Sequence, residues 1–194
     1  MNRRRFMHQT GTAIGLSGLT LSRIQATSAN NKLNIAAIGV GGMGSGNIQK
    51  CSNENIVALC DVDFKRGAKT FQEFPKARRF KDFRVMFDKM EKEIDAVIVA
   101  TPDHAHAVAS MEAIRRGKHV YTQKPLTHSI WEARQLKEAA RQYRVATQMG
   151  NQGHSSEGAR LTVEWIRAGV IGEVREVHCW SDRPLRGTRF ERKL

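Results

Sequence analysis

Leu33-Asn34-Ile35-Ala36-Ala37-Ile38-Gly39-Val40-Gly41-Gly42-Met43-Gly44 is the stretch that decides the fold. Its first six residues form a short apolar run suited to a buried strand, and the run passes directly into G-x-G-x-x-G. Each glycine there has a reason to lack a side chain. Gly39 permits a tight turn, Gly41 lets the backbone approach a pyrophosphate, and Gly44 lets the following helix pack close to the sheet. A helix over roughly 42–51, opening at Gly42 and Met43, would aim free amide groups and its positive dipole end at phosphates. The five residues Gly39, Gly41, Gly42, Met43 and Gly44 are therefore read as binding a dinucleotide cofactor.

A second apolar run, 56–60, ends at Asp61, which lies 22 residues after Gly39. A dinucleotide-binding unit places the acid that accepts hydrogen bonds from the adenosine ribose about 20 residues after its glycine turn. A carboxylate there repels the 2′-phosphate of NADP and accepts both hydroxyls of NAD, so NAD is favoured. Lys65 and Arg66 follow closely and keep NADP open. The other reading of Asp61 is an N-cap for a helix beginning near Phe64.

The alternation of strand and helix continues along the chain. Residues 82–93 read as a helix with Phe83, Met86, Phe87 and Met90 on one apolar face, and 94–100 as another buried strand running into Thr101-Pro102-Asp103. A helix over 103–116 stops at Gly117, and a strand over 118–121 leads to Gln123-Lys124-Pro125. Ser129 and Glu132 form the S-x-x-E capping box of a helix carrying Ala133, Leu136 and Ala140 inward. A last strand, 145–149, ends at Gly150. Strands separated by helical crossovers specify an α/β fold, a doubly wound parallel sheet of the Rossmann type. Ligands bind outside the carboxyl ends of such strands, where Gly41, Asp61, Thr101 and Lys124 all fall.

Asn151-Gln152-Gly153-His154 is the natural hinge out of this sheet. Beyond it, 155–168 reads as a helix and 173–180 as the first strand of a second α/β domain, alternating Val174, Val177 and Trp180 with charged residues. The organisation expected is a signal segment over 1–29, a dinucleotide-binding domain over 30–150, and the beginning of an incomplete second domain over 151–194.

From Leu33 to about Pro184 these residues resemble the Gfo/Idh/MocA oxidoreductases. The resemblance rests on the Gly39–Gly44 turn, the strand ending at Asp61, Thr101-Pro102-Asp103-His104-Ala105-His106 matching T-P-x-x-x-H, and Gly117-Lys118-His119-Val120 ahead of a K-P pair. It implies an NAD(P)-dependent dehydrogenase moving hydride between nicotinamide and a hydroxyl of a small sugar or polyol. It makes Lys124 the catalytic residue, beside the nicotinamide and the reacting hydroxyl, where it would orient the alcohol and stabilise negative charge on its oxygen. Thr101, Pro102, His106, Gln123 and Pro125 join the cofactor site by the same resemblance, with a cis bond at Pro125. The family's usual Glu-Lys-Pro is here Gln-Lys-Pro, and glutamine at 123 can hydrogen-bond ribose or carboxamide but carries no charge. For His106 the other reading is a histidine satisfying a backbone carbonyl; His104 is read as solvent-facing. Asn151 and His154 could face the substrate or cap the next helix.

The family's proton-transferring histidine lies well past Gly150, so the chain is expected to be partial. Two other functions stay open: an NAD-dependent glycosidase of the same fold, whose members tend to lack the K-P pair, and a dinucleotide-binding module without turnover.

Composition narrows the classes further. The chain has 194 residues, 40% hydrophobic and 26% charged, which is globular and excludes disordered, collagenous, coiled-coil and polytopic membrane proteins. Cys51, Cys60 and Cys179 are scattered, with no CxxC pair, so neither a disulfide framework nor a metal site is expected. At the amino terminus Arg3-Arg4-Arg5-Phe6-Met7 resembles a twin-arginine export signal, followed by a weakly apolar run over 10–21 that is too short and dilute to anchor the protein in a membrane. Cleavage after Ala29 or Ala26 would deliver a periplasmic protein with NAD loaded beforehand; the other reading is a basic disordered arm. Formal net charge is +13, and residues 1–29 hold four arginines and no acid, leaving +9 without them. The remaining basic residues are interspersed with acids and lack interleaved aromatics, so no nucleic-acid partner is expected. The oligomeric state is not read from the sequence.

Overall fold

In the computed structural model, which describes residues 32–180, six strands form one parallel sheet ordered β3-β2-β1-β4-β5-β6. The strands are β1 (Asn34–Ile38), β2 (Asn55–Cys60), β3 (Arg78–Phe80), β4 (Ala96–Val99), β5 (His119–Gln123) and β6 (Thr147–Gly150). The helices are α1 (Met43–Lys50), α2 (Ala68–Glu73), α3 (Phe83–Met90), α4 (His106–Arg115), α5 (Ile130–Tyr143) and α6 (Glu157–Arg167). The expected signal segment and everything beyond 180 lie outside the described residues.

The central strand shows why the run before the glycines is uniformly apolar. Ala36 and Ile38 pack with Met86, Phe87, Val97, Val99 and Ile114 on one face of the sheet, and Ile35 and Ala37 with Ile48, Leu59, Phe71 and Ile98 on the other. A parallel strand covered on both faces has no solvent side on which to place a polar residue. Strand order reverses between β1 and β4, and the crevice at that switch point is where the glycine turn and Thr101 meet.

Helix ends follow their local chemistry. Asp82 caps α3 by accepting from the Arg84 amide at 2.9 Å, and the predicted face of α3 is packed, with Met86, Phe87 and Met90 buried. The predicted capping box opens α5: Ser129 Oγ accepts from the Glu132 amide at 3.3 Å, and Glu132 Oε2 accepts from the Ser129 amide at 2.9 Å. On that helix the buried pair is Leu136 and Ala139, while Ala133 and Ala140 are half-buried. Gly117 stops α4 with φ +72°.

Two expectations are corrected. The helix considered from near Phe64 starts later, at Ala68, as α2, and the strand β3 after it has no counterpart in the sequence reading, because Arg78-Arg79-Phe80 shows no apolar run. It is an edge strand held partly by stacking, with the Arg78 guanidinium 5.6 Å from the Phe80 ring and that of Arg79 5.3 Å from Phe71. Residues 173–180 form no strand. They have no ladder partner among the described residues, and Val177 and Trp180 stand exposed. After a short 3-10 turn (Gln152–Ser155), α6 forms as predicted, with Ser156 Oγ accepting from the Ala159 amide at 3.3 Å, but Trp165 and Ile166 on it remain exposed. No helix among the described residues is long and apolar enough to cross a membrane.

Gly44 carries the tightest steric demand in the dinucleotide unit: a Cβ there would sit 1.9 Å from the Gly39 carbonyl oxygen and 3.3 Å from Ala100 Cβ. Gly46, in the same helix, has nothing within 4 Å of a Cβ. Gly44→Ala is expected to destabilise by about 3 kcal/mol, lowering Tm by roughly 6–12 °C. Gly46→Ala is expected to raise stability by about 0.5–1 kcal/mol; paired thermal melts by circular dichroism check both.

Candidate functional site

The glycine turn is wedged between the ends of β2 and β4. Gly39 has φ +80°, its amide donates to the Cys60 carbonyl at 2.8 Å, and a Cβ on it would lie 2.6 Å from the Ala100 carbonyl oxygen. Gly42 (φ +54°) then delivers the chain into α1, where Met43 is exposed at the first position. At Gly41 the close approach within the protein comes from Arg66: a Cβ would meet Arg66 Cγ at 2.7 Å and the Arg66 carbonyl oxygen at 3.1 Å. Of the two cations left open for a 2′-phosphate, it is Arg66 whose side chain lies against the turn.

Asp61 is bound into the same structure. One carboxylate oxygen accepts from the Val40 amide inside the glycine turn and the other from the Asp63 amide, each at 2.9 Å. A carboxylate offers about four acceptor positions, so each oxygen keeps capacity for a ribose hydroxyl. The N-cap reading of Asp61 is corrected: α2 opens at Gly67 with no side-chain cap, and the turn over 64–67 before it is closed by Asp63, whose Oδ1 accepts from the Lys65 and Arg66 amides at 2.9 and 3.2 Å. Beside Asp61, burial first, and then the charges of Asp82 and Asp61, push the Cys60 thiol up to about 12, so it stays a neutral core residue.

At the end of β4, Thr101 leads into Pro102, which is exposed, and then into α4. His104 is exposed, as read from the sequence. His106 is 1% exposed, with Nε2 2.8 Å from the Thr101 carbonyl oxygen and Nδ1 2.6 Å from that of Pro125. Both ring nitrogens face backbone carbonyls, and the ring ties the loop after β4 to the loop after β5. This is the arrangement anticipated by the reading in which His106 satisfies backbone.

At the end of β5, Lys124 and Pro125 are exposed and joined by a cis peptide bond, as the family resemblance implies. Gln123 is only 6% exposed. Its Oε1 accepts from Gln152 Nε2 at 3.1 Å, and the same nitrogen donates to Asn47 Oδ1 on α1 at 3.2 Å. Sequence reasoning missed both Asn47 and Gln152, since nothing in their spacing marks an amide contact between residues 105 positions apart. Asn151 and His154 are exposed in the hinge turn, and their side chains do not cap α6; Ser156 does.

Glycine turn, Asp61, Thr101 and Lys124 thus lie on consecutive loops at one edge of the sheet. Their chemistry fits a dinucleotide. The turn leaves backbone open at a helix N-terminus, Asp61 retains acceptor capacity, and Thr101 Oγ1 and Asn47 Nδ2 are buried without a partner in the protein. No cluster of three metal-ligating side chains occurs among the described residues. A separate, mostly apolar cavity of about 400 Å³ lies between α4, α5, β5 and β6, lined in part by Ile114, Val120, Leu136 and Met149; none of the glycine-turn residues reaches it.

Comparison with known proteins agrees with this geometry. The family model described as an oxidoreductase family with an NAD-binding Rossmann fold matches residues 33–151, more than half of the chain. The inositol 2-dehydrogenase of Pseudomonas fluorescens is 27% identical over 165 residues, covering 82% of this chain and 48% of that protein. The chain spans about half the length of the curated relatives it matches. A solved NAD binding oxidoreductase from Klebsiella pneumoniae is 28% identical with TM-score 0.61, covering 73% of this chain and 40% of that one. An oxidoreductase from Agrobacterium radiobacter, solved with NAD+, L-tartaric acid and magnesium, shares the fold with TM-score 0.66 at 22% identity, over 74% of this chain and 42% of that one. With an NAD-binding Rossmann domain matched from its first strand to the hinge, the chain belongs to the Gfo/Idh/MocA oxidoreductase family.

Proposed function

We propose that the protein acts as an NAD-dependent dehydrogenase that moves hydride between nicotinamide and a hydroxyl group of a sugar or polyol. The observation that carries this reading is the line of loops from the Gly39–Gly44 turn through Asp61 and Thr101 to the exposed Lys124, all at the carboxyl edge of one sheet. The names of relatives such as the inositol 2-dehydrogenases support a polyol as substrate.

In this reading Gly41, Gly42 and the amide groups opening α1 hold the pyrophosphate, and Asp61 accepts from the adenosine ribose. Thr101, Pro102 and Gln123 border the nicotinamide half, with His106 bracing the two loops beneath it. Bound NAD supplies the hydride acceptor. Lys124 donates to the substrate oxygen, orienting the hydroxyl and stabilising negative charge as the C–H bond breaks. Asn151 and His154, exposed in the hinge turn, contact the substrate. The Lys124-Pro125 pair supports oxidation rather than glycosidic cleavage. None of the described residues is assigned the proton transfer.

We also propose export by the twin-arginine route, supported by Arg3-Arg4-Arg5-Phe6-Met7 and the short apolar run after it. Because that route carries folded proteins, NAD would travel with the protein into the periplasm.

Three outcomes are expected. Asp61→Ala loses about 2 kcal/mol of NAD binding, roughly 30-fold in Kd, and narrows the preference for NAD over NADP; calorimetric titration with both nucleotides reads it, and an unchanged NAD affinity contradicts the assignment. Lys124→Met lowers kcat for oxidation of myo-inositol or another accepted polyol by about 100-fold or more, while the Kd for NAD stays within threefold. Replacing Arg3, Arg4 and Arg5 together by lysine leaves the protein in the cytoplasmic fraction; continued appearance in the periplasmic fraction removes the export proposal.

A further inference from the structure

Three segments meet at one amide nitrogen. Gln152 lies in the turn that leaves the sheet, Asn47 on the second turn of the phosphate-facing helix α1, and Gln123 at the end of β5, immediately before Lys124. Gln152 Nε2 has two hydrogens, and it gives one to Asn47 Oδ1 at 3.2 Å and the other to Gln123 Oε1 at 3.1 Å. Asn47 and Gln123 are 7% and 6% exposed, so these contacts are shielded from water. Gly150 makes room for them. It pairs with Gln123 across β5 and β6, and a Cβ on it would stand 2.0 Å from Gln123 Oε1 and 2.9 Å from the Tyr121 hydroxyl.

This arrangement sets the polarity of Gln123. With Oε1 turned inward to Gln152 and packed against Gly150, it is the Nε2 hydrogens that the side chain presents outward. A glutamate at 123 could accept from Gln152 equally well but would have no proton to donate onward. Asn47 likewise ends the chain on a donor: its Nδ2 is buried and has no partner in the protein. A short row of amides therefore runs from α1 to the residue before Lys124, and the amide groups at its two ends, Asn47 Nδ2 and Gln123 Nε2, are donors.

We infer that Gln152 is a positioning residue for the cofactor site: it fixes the Gln123 amide with its donor directed at an oxygen of the nicotinamide riboside half of NAD. The inference rests on the NAD-dependent reading above. It makes the first turn after the sheet part of the cofactor site, acting through Gln123 without touching the cofactor. It also explains why Gly150 carries no side chain.

The test separates the two halves of the cofactor, using NAD and ADP as probes of the full chain in calorimetric titrations. Gln152→Met keeps the size of the side chain and removes the amide; it is expected to weaken NAD about tenfold while leaving ADP within twofold. Gln123→Met removes the donor while leaving Gln152 intact and is expected to give the same split, which keeps the inference testable should Gln152→Met fail to fold. Equal losses for NAD and ADP, or NAD binding unchanged in either variant, would overturn it. If the folded, unaltered chain binds neither nucleotide, the NAD-dependent reading itself fails and takes this inference with it. NAD bound normally by the unaltered chain and by both variants overturns the positioning role alone.

Discussion

The hydrogen bond from the Val40 amide to the Asp61 carboxylate, beside that from the Gly39 amide to the Cys60 carbonyl, joins the glycine turn after β1 to the end of β2. The turn has few contacts of its own with which to hold a shape, since its glycines contribute no side chains. Its geometry is imposed from outside, by Asp61 on one flank, by the Ala100 carbonyl against Gly39 on another, and by α1 packed on the Gly39 carbonyl at Gly44. The acid that the family pattern assigns to ribose is thus first a structural acceptor, and its remaining lone pairs are positioned by that task. Pre-organising a binding group by a bond to the scaffold reduces the ordering that a ligand would otherwise have to impose.

The same device recurs along the carboxyl edge of the sheet. His106 joins the backbone after β4 to the backbone after β5, and Gln152 joins the end of β5 to α1. Strand ladders end before these loops begin, so side chains continue the work of the ladder where the backbone cannot. None of the three linking side chains is both long and exposed. His106 is 1% exposed, Asp61 and Gln152 are half-buried, and the partners they hold are mostly backbone or buried amides. Against that braced edge Lys124 stands out as an exposed cation.

What the sequence showed and what it hid follow from range. The glycine turn, the strand ending at Asp61, the face of α3 and the capping box of α5 are local patterns, each written within about twenty residues, and each has the expected geometry. The edge strand β3 was hidden because two of its three residues are arginines, which show no apolar run and stack on the rings of Phe80 and Phe71. Residues 173–180 alternate like a strand but have nothing among the described residues to pair with, and alternation alone does not make a ladder. Gln152 looked like one polar residue of a loop. Only the register that sets Gly150 beside Gln123 shows that it reaches into the cofactor edge.

In the proposed function the Gly39–Gly44 turn, held by Asp61, receives the dinucleotide. Amide chemical-shift mapping of the isotopically labelled chain during titration with NAD addresses it most directly. The largest changes are expected on the amides of Val40, Gly41, Gly42 and Met43 and on those next to Asp61, with the residues lining the cavity under α5 unmoved. Saturable changes centred on that cavity, or none in the glycine turn, would contradict it.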